Sequence, residues 1–190
     1  MANIGVILSV VVCVGVALAG ASSCGRLFEN KVSENDKKII VNKHNQLRGL
    51  ISQGKVLGQP KGKNLKNLKW DNKLAIQAQK IANTCEFKHV KVNDTRFYVG
   101  QNLGWTGSTA SSRTTDWNGI IQKWFNEHKD FKYPSTSKGM TGHYTQVVWA
   151  DTQLVGCGYT FYRKSSWYEK LYVCNYGPGG NYIGEAPYKI

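Results

Sequence analysis

Val155-Gly156-Cys157-Gly158-Tyr159-Thr160-Phe161-Tyr162-Arg163 and Trp167-Tyr168-Glu169-Lys170-Leu171-Tyr172-Val173-Cys174-Asn175-Tyr176 flank the short polar stretch Lys164-Ser165-Ser166. Both runs are rich in Tyr, Val and Phe, whose branched or flat side chains suit a pleated surface, and the break between them reads as a turn. An antiparallel hairpin is expected. Cys157 and Cys174 lie at nearly equal distances from the turn, one on each strand. They should face each other and could be bridged across the ladder.

Upstream of this hairpin the pattern changes to helical spacing. Ser33, with Asp36 three residues on, resembles a capping box, and a helix follows to about Gln53, ended by Gly54. Its apolar stripe is Ile40, His44, Leu47 and Ile51, so His44 is carried on the inward face. Residues 54–69 read as a long exposed loop. Asp71 or Asn72 caps a second helix with Leu74, Ala78, Ile81 and, just past its end, Cys85 on the inner side. Phe97 to Trp105 reads as a buried strand, and Gly107 to Thr115 as a loop. Asp116 caps a third helix whose apolar side is Trp117, Ile120, Ile121, Trp124 and Phe125. Glu127 continues that side, which aims a carboxylate at the core. Tyr144 to Trp149 is ambiguous between helix and strand. Helices first and hairpin last, without βαβ alternation, make an α+β layer fold.

Residues 1–21 carry no charge and end in Ala19-Gly20-Ala21, the layout of a secretory signal peptide cut after Ala21. Residues 22–190 then form a single domain, with 22–32 an extended N-terminal segment. Of the five cysteines, Cys13 leaves with the leader. Cys24, Cys85, Cys157 and Cys174 remain for two disulfides in an oxidising compartment, with three connectivities open. Pairing Cys157 with Cys174 leaves Cys24 for Cys85. The formal charge is +13, and six lysines (Lys55, Lys61, Lys63, Lys66, Lys69 and Lys73) fall within 19 residues. Such a stretch suits an anionic glycan or lipid surface, or serves as a solvated face; nucleic acid is the least expected partner of a secreted chain. Asn93-Asp94-Thr95 is an N-glycosylation sequon. No second apolar run reaches membrane length, so the mature chain is not expected to span a bilayer.

Inward-facing ionisable groups are costly unless paired or ligating. His44, Glu127 and His143 are therefore the candidates for chemistry, and imidazoles with a carboxylate suit a divalent metal such as zinc. Their separation along the chain does not by itself show that they converge.

Two long motifs carry a resemblance. Gly142-His143-Tyr144-Thr145-Gln146-Val147-Val148-Trp149-Ala150-Asp151-Thr152 and Leu171-Tyr172-Val173-Cys174-Asn175-Tyr176-Gly177-Pro178-Gly179-Gly180-Asn181-Tyr182 resemble the two signatures of the CAP superfamily. Shorter pieces agree: His44-Asn45 with Arg48, Asn67-Leu68-Lys69-Trp70, Gly100-Gln101-Asn102-Leu103 and Val155-Gly156-Cys157-Gly158. The chain is most similar to the insect antigen 5 proteins, allergens of venom and saliva. The resemblance implies a three-layer α-β-α sandwich with a central cleft lined by two histidines and two acidic residues. Matched singly, His44 and His143 take the histidine places and Glu127 one acidic place, while the other falls on Gln101, an amide. His89 and His128 lie outside the motifs and read as surface residues. The disulfides Cys24–Cys85 and Cys157–Cys174 match two antigen 5 bridges.

The resemblance implies a secreted protein that binds a small lipid or sterol, a divalent metal (zinc, weakly held) or a host extracellular protein. The alternative is a weak metal-dependent hydrolase or redox activity in the His/Glu cleft. Against catalysis, the sequence has no H-E-x-x-H and no G-x-S-x-G, and Gln101 cannot act as a general base.

Overall fold

The computed structural model describes residues 24–134 and 141–190. The expected leader, and the first two residues of the extended N-terminal segment, lie outside the described residues. In chain order the elements are β1 (Arg26–Glu29), α1 (Glu34–Ser52), β2 (Lys69–Trp70), α2 (Asn72–Ala82), β3 (Gly100–Ser108), α3 (Trp117–Asn126), a 3-10 turn (Glu127–Lys129), α4 (Gly142–Val147), β4 (Leu154–Lys164) and β5 (Trp167–Gly177).

The hairpin is the centre of the sheet. Strands run in the order β1-β4-β5-β3, and the two-residue β2 adds to β4 in parallel. Lys164 faces Trp167 across a two-residue turn, in which Ser165 adopts φ 55°. Cys157 is directly opposite Cys174, and the two are bonded. The second bridge joins Cys24 to Cys85 and ties the start of β1 to the end of α2.

Strand alternation sorts the side chains into two layers of core. Val155, Cys157, Tyr159 and Phe161 of β4, with Tyr172, Cys174 and Tyr176 of β5, pack with α1, α3 and α4. Tyr162, Leu171 and Val173 face the other way, toward Ala78, Ile81 and Ala82 of α2. On that second face β4 carries Gly156 and Gly158. A Cβ at either would run into the backbone of α2, at Asp71 and Ala75 or at Gln79. The glycines let α2 lie directly on the strand, so the fold is an α+β sandwich of helix, sheet and helix layers.

The caps follow the expected chemistry. Ser33 and Asp36 form a reciprocal capping box on α1, while Asp71 and Asp116 accept from Leu74 and Gly119 to start α2 and α3. Three expectations change. The third strand runs from Gly100 to Ser108, not from Phe97, because pairing with β5 begins at Gly100↔Tyr176, and Trp105 is 46% exposed rather than buried. The ambiguous stretch resolves as the short helix α4. The loop after α1 is not exposed throughout: Val56, Gln59, Gly62 and Leu68 are buried, while its lysines and Leu57 face outward.

Candidate functional site

The site is built on α4, a helix too short to stand on propensity. Its first N–H groups have no intrahelical partner, and Glu127, which ends α3, supplies one. Oε2 of Glu127 accepts from the backbone N–H of His143 (3.1 Å) and of Tyr144 (3.2 Å), and Oε1 lies 2.7 Å from Nδ1 of His143. The carboxylate thus sits against the positive end of α4, where its charge is stabilised. A carboxylate accepts, so the ring donates from Nδ1, and in neutral His143 the lone pair is left on Nε2. The side chains of His143 and Glu127 are 32% and 21% exposed. The Trp124 indole stacks on the imidazole at 6.0 Å and 18°.

Arg48 holds the other end of α4. It is 1% exposed and donates to five backbone carbonyls: Lys66, Val147, Trp149, Ala150 and Thr152. Burial pushes its guanidinium down to about 10, which leaves it charged at neutral pH. Its position, i+4 from His44 on the inner stripe of α1, is the signal that could have marked it as buried.

His44 does not join His143, and the expected shared ligation is corrected. His44 is fully buried, with Nδ1 on the Ile40 carbonyl (2.8 Å) and Nε2 on the Tyr176 hydroxyl (2.9 Å). The carbonyl fixes Nδ1 as the donor, so Nε2 accepts from Tyr176. Asn102 then bridges the two histidines, donating from Nδ2 to the Tyr176 hydroxyl (3.3 Å) and to the His143 carbonyl (3.1 Å). Burial, assisted by the charge of Arg48 and opposed by the Ile40 hydrogen bond, lowers the His44 pKa to about 4. His44 is a neutral core imidazole without a free nitrogen.

The imidazole beside Gln101 is instead His89. Oε1 of Gln101 accepts from His89 Nδ1 (3.0 Å) and Val90 N–H (3.2 Å), and Nε2 donates to the Val90 carbonyl (3.3 Å) and to Asn175 (3.0 Å). The amide pairs with the Val90 peptide as a strand neighbour would, which requires both a donor and an acceptor. His89 and Gln101 line an open cleft of about 450 Å³ with Lys91, Tyr98, Gln146 and Asn181. Asn181 of this wall also donates to the carbonyl of Gly142, next to His143 (2.9 Å). The sequence signal for His89 is slight: it follows Cys85, whose disulfide fixes the start of its segment.

Trp124 also lines a second, apolar groove of about 280 Å³ with Phe87, Leu103, Gly104, Trp105, Ile120 and Lys123. Phe87 is 60% exposed there. Among the described residues no three His, Cys, Asp or Glu side chains gather where they could hold a metal ion. Gln101 is paired on both its oxygen and its nitrogen, and His44 uses both ring nitrogens within the protein, so these two do not present free donors beside His143.

This fold, with its paired motifs on α4 and β5, defines the class, and the chain belongs to the cysteine-rich secretory protein (CAP) family, whose model matches residues 41–176. Among its relatives are the salivary antigen-5 of Dipetalogaster maximus and the venom allergen 3 of Solenopsis invicta. The first is 36% identical over 188 residues, covering 92% of this chain and 76% of that protein. The second is 40% identical over 173 residues, covering 83% and 74%. Among solved structures it is similar to NaASP2 with Zn2+, at TM-score 0.72 and 26% identity over 86% of this chain and 90% of that one. No helix among the described residues is long and apolar enough to cross a membrane.

Proposed function

We propose that this chain is a secreted antigen 5-type protein of saliva or venom that acts by binding, with residues 1–21 as its leader and a small lipid as its ligand. The observation that carries the reading is how the site's polar groups are used. Glu127 already accepts from the Nδ1 of His143 and from two backbone N–H groups, and Gln101 is paired on both its oxygen and its nitrogen. A carboxylate committed to holding a helix start is a poor general base. The apolar groove beside Trp124 offers what a hydrocarbon chain needs: exposed aromatic area, with Lys123 for a carboxylate head. A host extracellular protein is the other partner class such a surface would serve.

Divalent metal binding is a weaker reading, supported by the Zn2+ of the similar structure. The groups that would hold it are His143 and His89 through their Nε2 atoms, neither of which is engaged by Glu127 or Gln101. Asn93 is exposed, and we assign it as the N-glycan attachment point.

The test is displacement of a fluorescent fatty acid from the purified protein. Binding in the micromolar range that is lost in Trp105→Ala and Phe87→Ala, both exposed positions, supports the proposal. Equal binding by wild type and both variants contradicts it.

A further inference from the structure

The loop between α1 and β2 is irregular, yet it is pinned along its whole length. Gln59 donates to the carbonyls of His128 and Phe131 (both 2.8 Å), and Gly62 N–H to the Ile51 carbonyl (3.1 Å). The Lys66 carbonyl takes Arg48 Nε at 2.8 Å. Asn45 bonds both the N–H and the carbonyl of Leu68. The chain's last residues are bound to the same loop: Lys63 N–H donates to the Lys189 carbonyl (2.8 Å), and Lys189 N–H to Asn64 Oδ1 (2.7 Å).

This pinning turns one set of side chains inward and leaves another outside. Val56, Gln59, Gly62 and Leu68 are buried, and Lys55, Lys61, Lys63, Lys66, Lys69 and Lys189 are exposed. The Lys61 side chain lies against Gly54, next to Lys55, and Lys189 lies beside Lys63. Among the described residues none of these six lysines has a carboxylate within 4.0 Å, whereas Lys73 is held by Asp94 at 3.2 Å. The structure therefore drops Lys73 from the basic stretch and adds Lys189, which is remote in sequence.

We propose that this pinned loop with Lys189 is a docking surface for a sulfated glycan chain. The ammonium groups are held on a fixed backbone and have no internal counter-charge, so a polyanion gains their attraction without ordering the loop. Leu57 is the one exposed large apolar side chain along this loop among the described residues, at 94%. A single leucine contributes too little for stable insertion into a bilayer. The surface offers charge without an apolar anchor, which fits a hydrated sulfated chain rather than a membrane. This surface is separate from the Trp124 groove, so it stands or falls independently of lipid binding.

The experiment measures affinity of the full protein for heparin at physiological salt. It compares wild type, the quadruple variant Lys61→Gln, Lys63→Gln, Lys66→Gln, Lys189→Gln, and a charge-matched control changed to Gln at exposed Lys38, Lys80, Lys88 and Lys164. Wild type and control should bind alike and the quadruple variant about tenfold more weakly, with no binding to desulfated heparin. Equal losses in the two variants would reduce the effect to net charge and overturn the proposal. So would absence of heparin binding by wild type, or preferential binding to phosphatidylserine vesicles or duplex DNA.

Discussion

Glu127 and Arg48 hold opposite ends of one helix. The carboxylate accepts from the first N–H groups of α4, and the guanidinium donates to the Val147 carbonyl that ends it and to carbonyls just beyond. Each charge opposes the partial charge of the helix end it touches. Six residues, His143 among them, are thereby held between α1 and α3.

Arg48→Met should be severely destabilising, by about 4 kcal/mol, because buried carbonyls lose their shared donor. Arg48→Lys keeps the charge but not the planar fork and should recover less than half. Urea denaturation of the three proteins is the check.

Glu127→Gln should cost about 1–2 kcal/mol through loss of the charged cap. It should also release the His143 tautomer, since an amide can donate to Nδ1 as well as accept from it. Nitrogen chemical shifts of the His143 ring read this directly. A variant with an unchanged Nδ1–H tautomer would contradict the assigned role.

Stability should fall as pH drops from about 6.5 toward 4. The folded pKa of His44 is lowered by burial to about 4. Between the two values the unfolded chain binds a proton that the folded chain refuses. The stabilisation is present above 6.5 and is lost as pH falls, approaching about 3 kcal/mol below pH 4. His128 is shifted in the same direction, mainly by burial. The decisive comparison is therefore wild type against His44→Gln, whose urea midpoints should show a shallower pH slope.

Gln101→Glu tests whether position 101 is a missing metal ligand or a structural amide. A carboxylate there would face the Val90 carbonyl and the Asn175 oxygen, two acceptors it cannot satisfy. A loss of about 1–3 kcal/mol is expected, with no gain in zinc affinity by calorimetry. Tighter zinc binding in a stable variant would favour the ligand reading.

Much of the fold was legible because it rests on local rules. Ser33–Asp36, Asp71 and Asp116 announce three helix starts, and the spacing of Cys157 and Cys174 about Ser165 sets the register of the hairpin. The site was half legible. Helical spacing placed His44 inside correctly, but an inward histidine meets either a ligand or a protein partner, and only Tyr176, far along the chain, decides which. Glu127 reads as inward, yet its use as a cap on α4 depends on a contact between separate elements. His89 and Lys189 follow no periodicity, and their roles come from tertiary pairing with Gln101 and Lys63.

The central claim, binding at the α3 groove by a secreted chain, is tested most directly by native mass spectrometry of protein purified from its source. The account predicts a polypeptide lacking residues 1–21, with two disulfides and a retained small apolar ligand that dissociates on collisional activation. A polypeptide that carries no ligand as isolated, and acquires none after incubation with fatty acids or sterols, would contradict it.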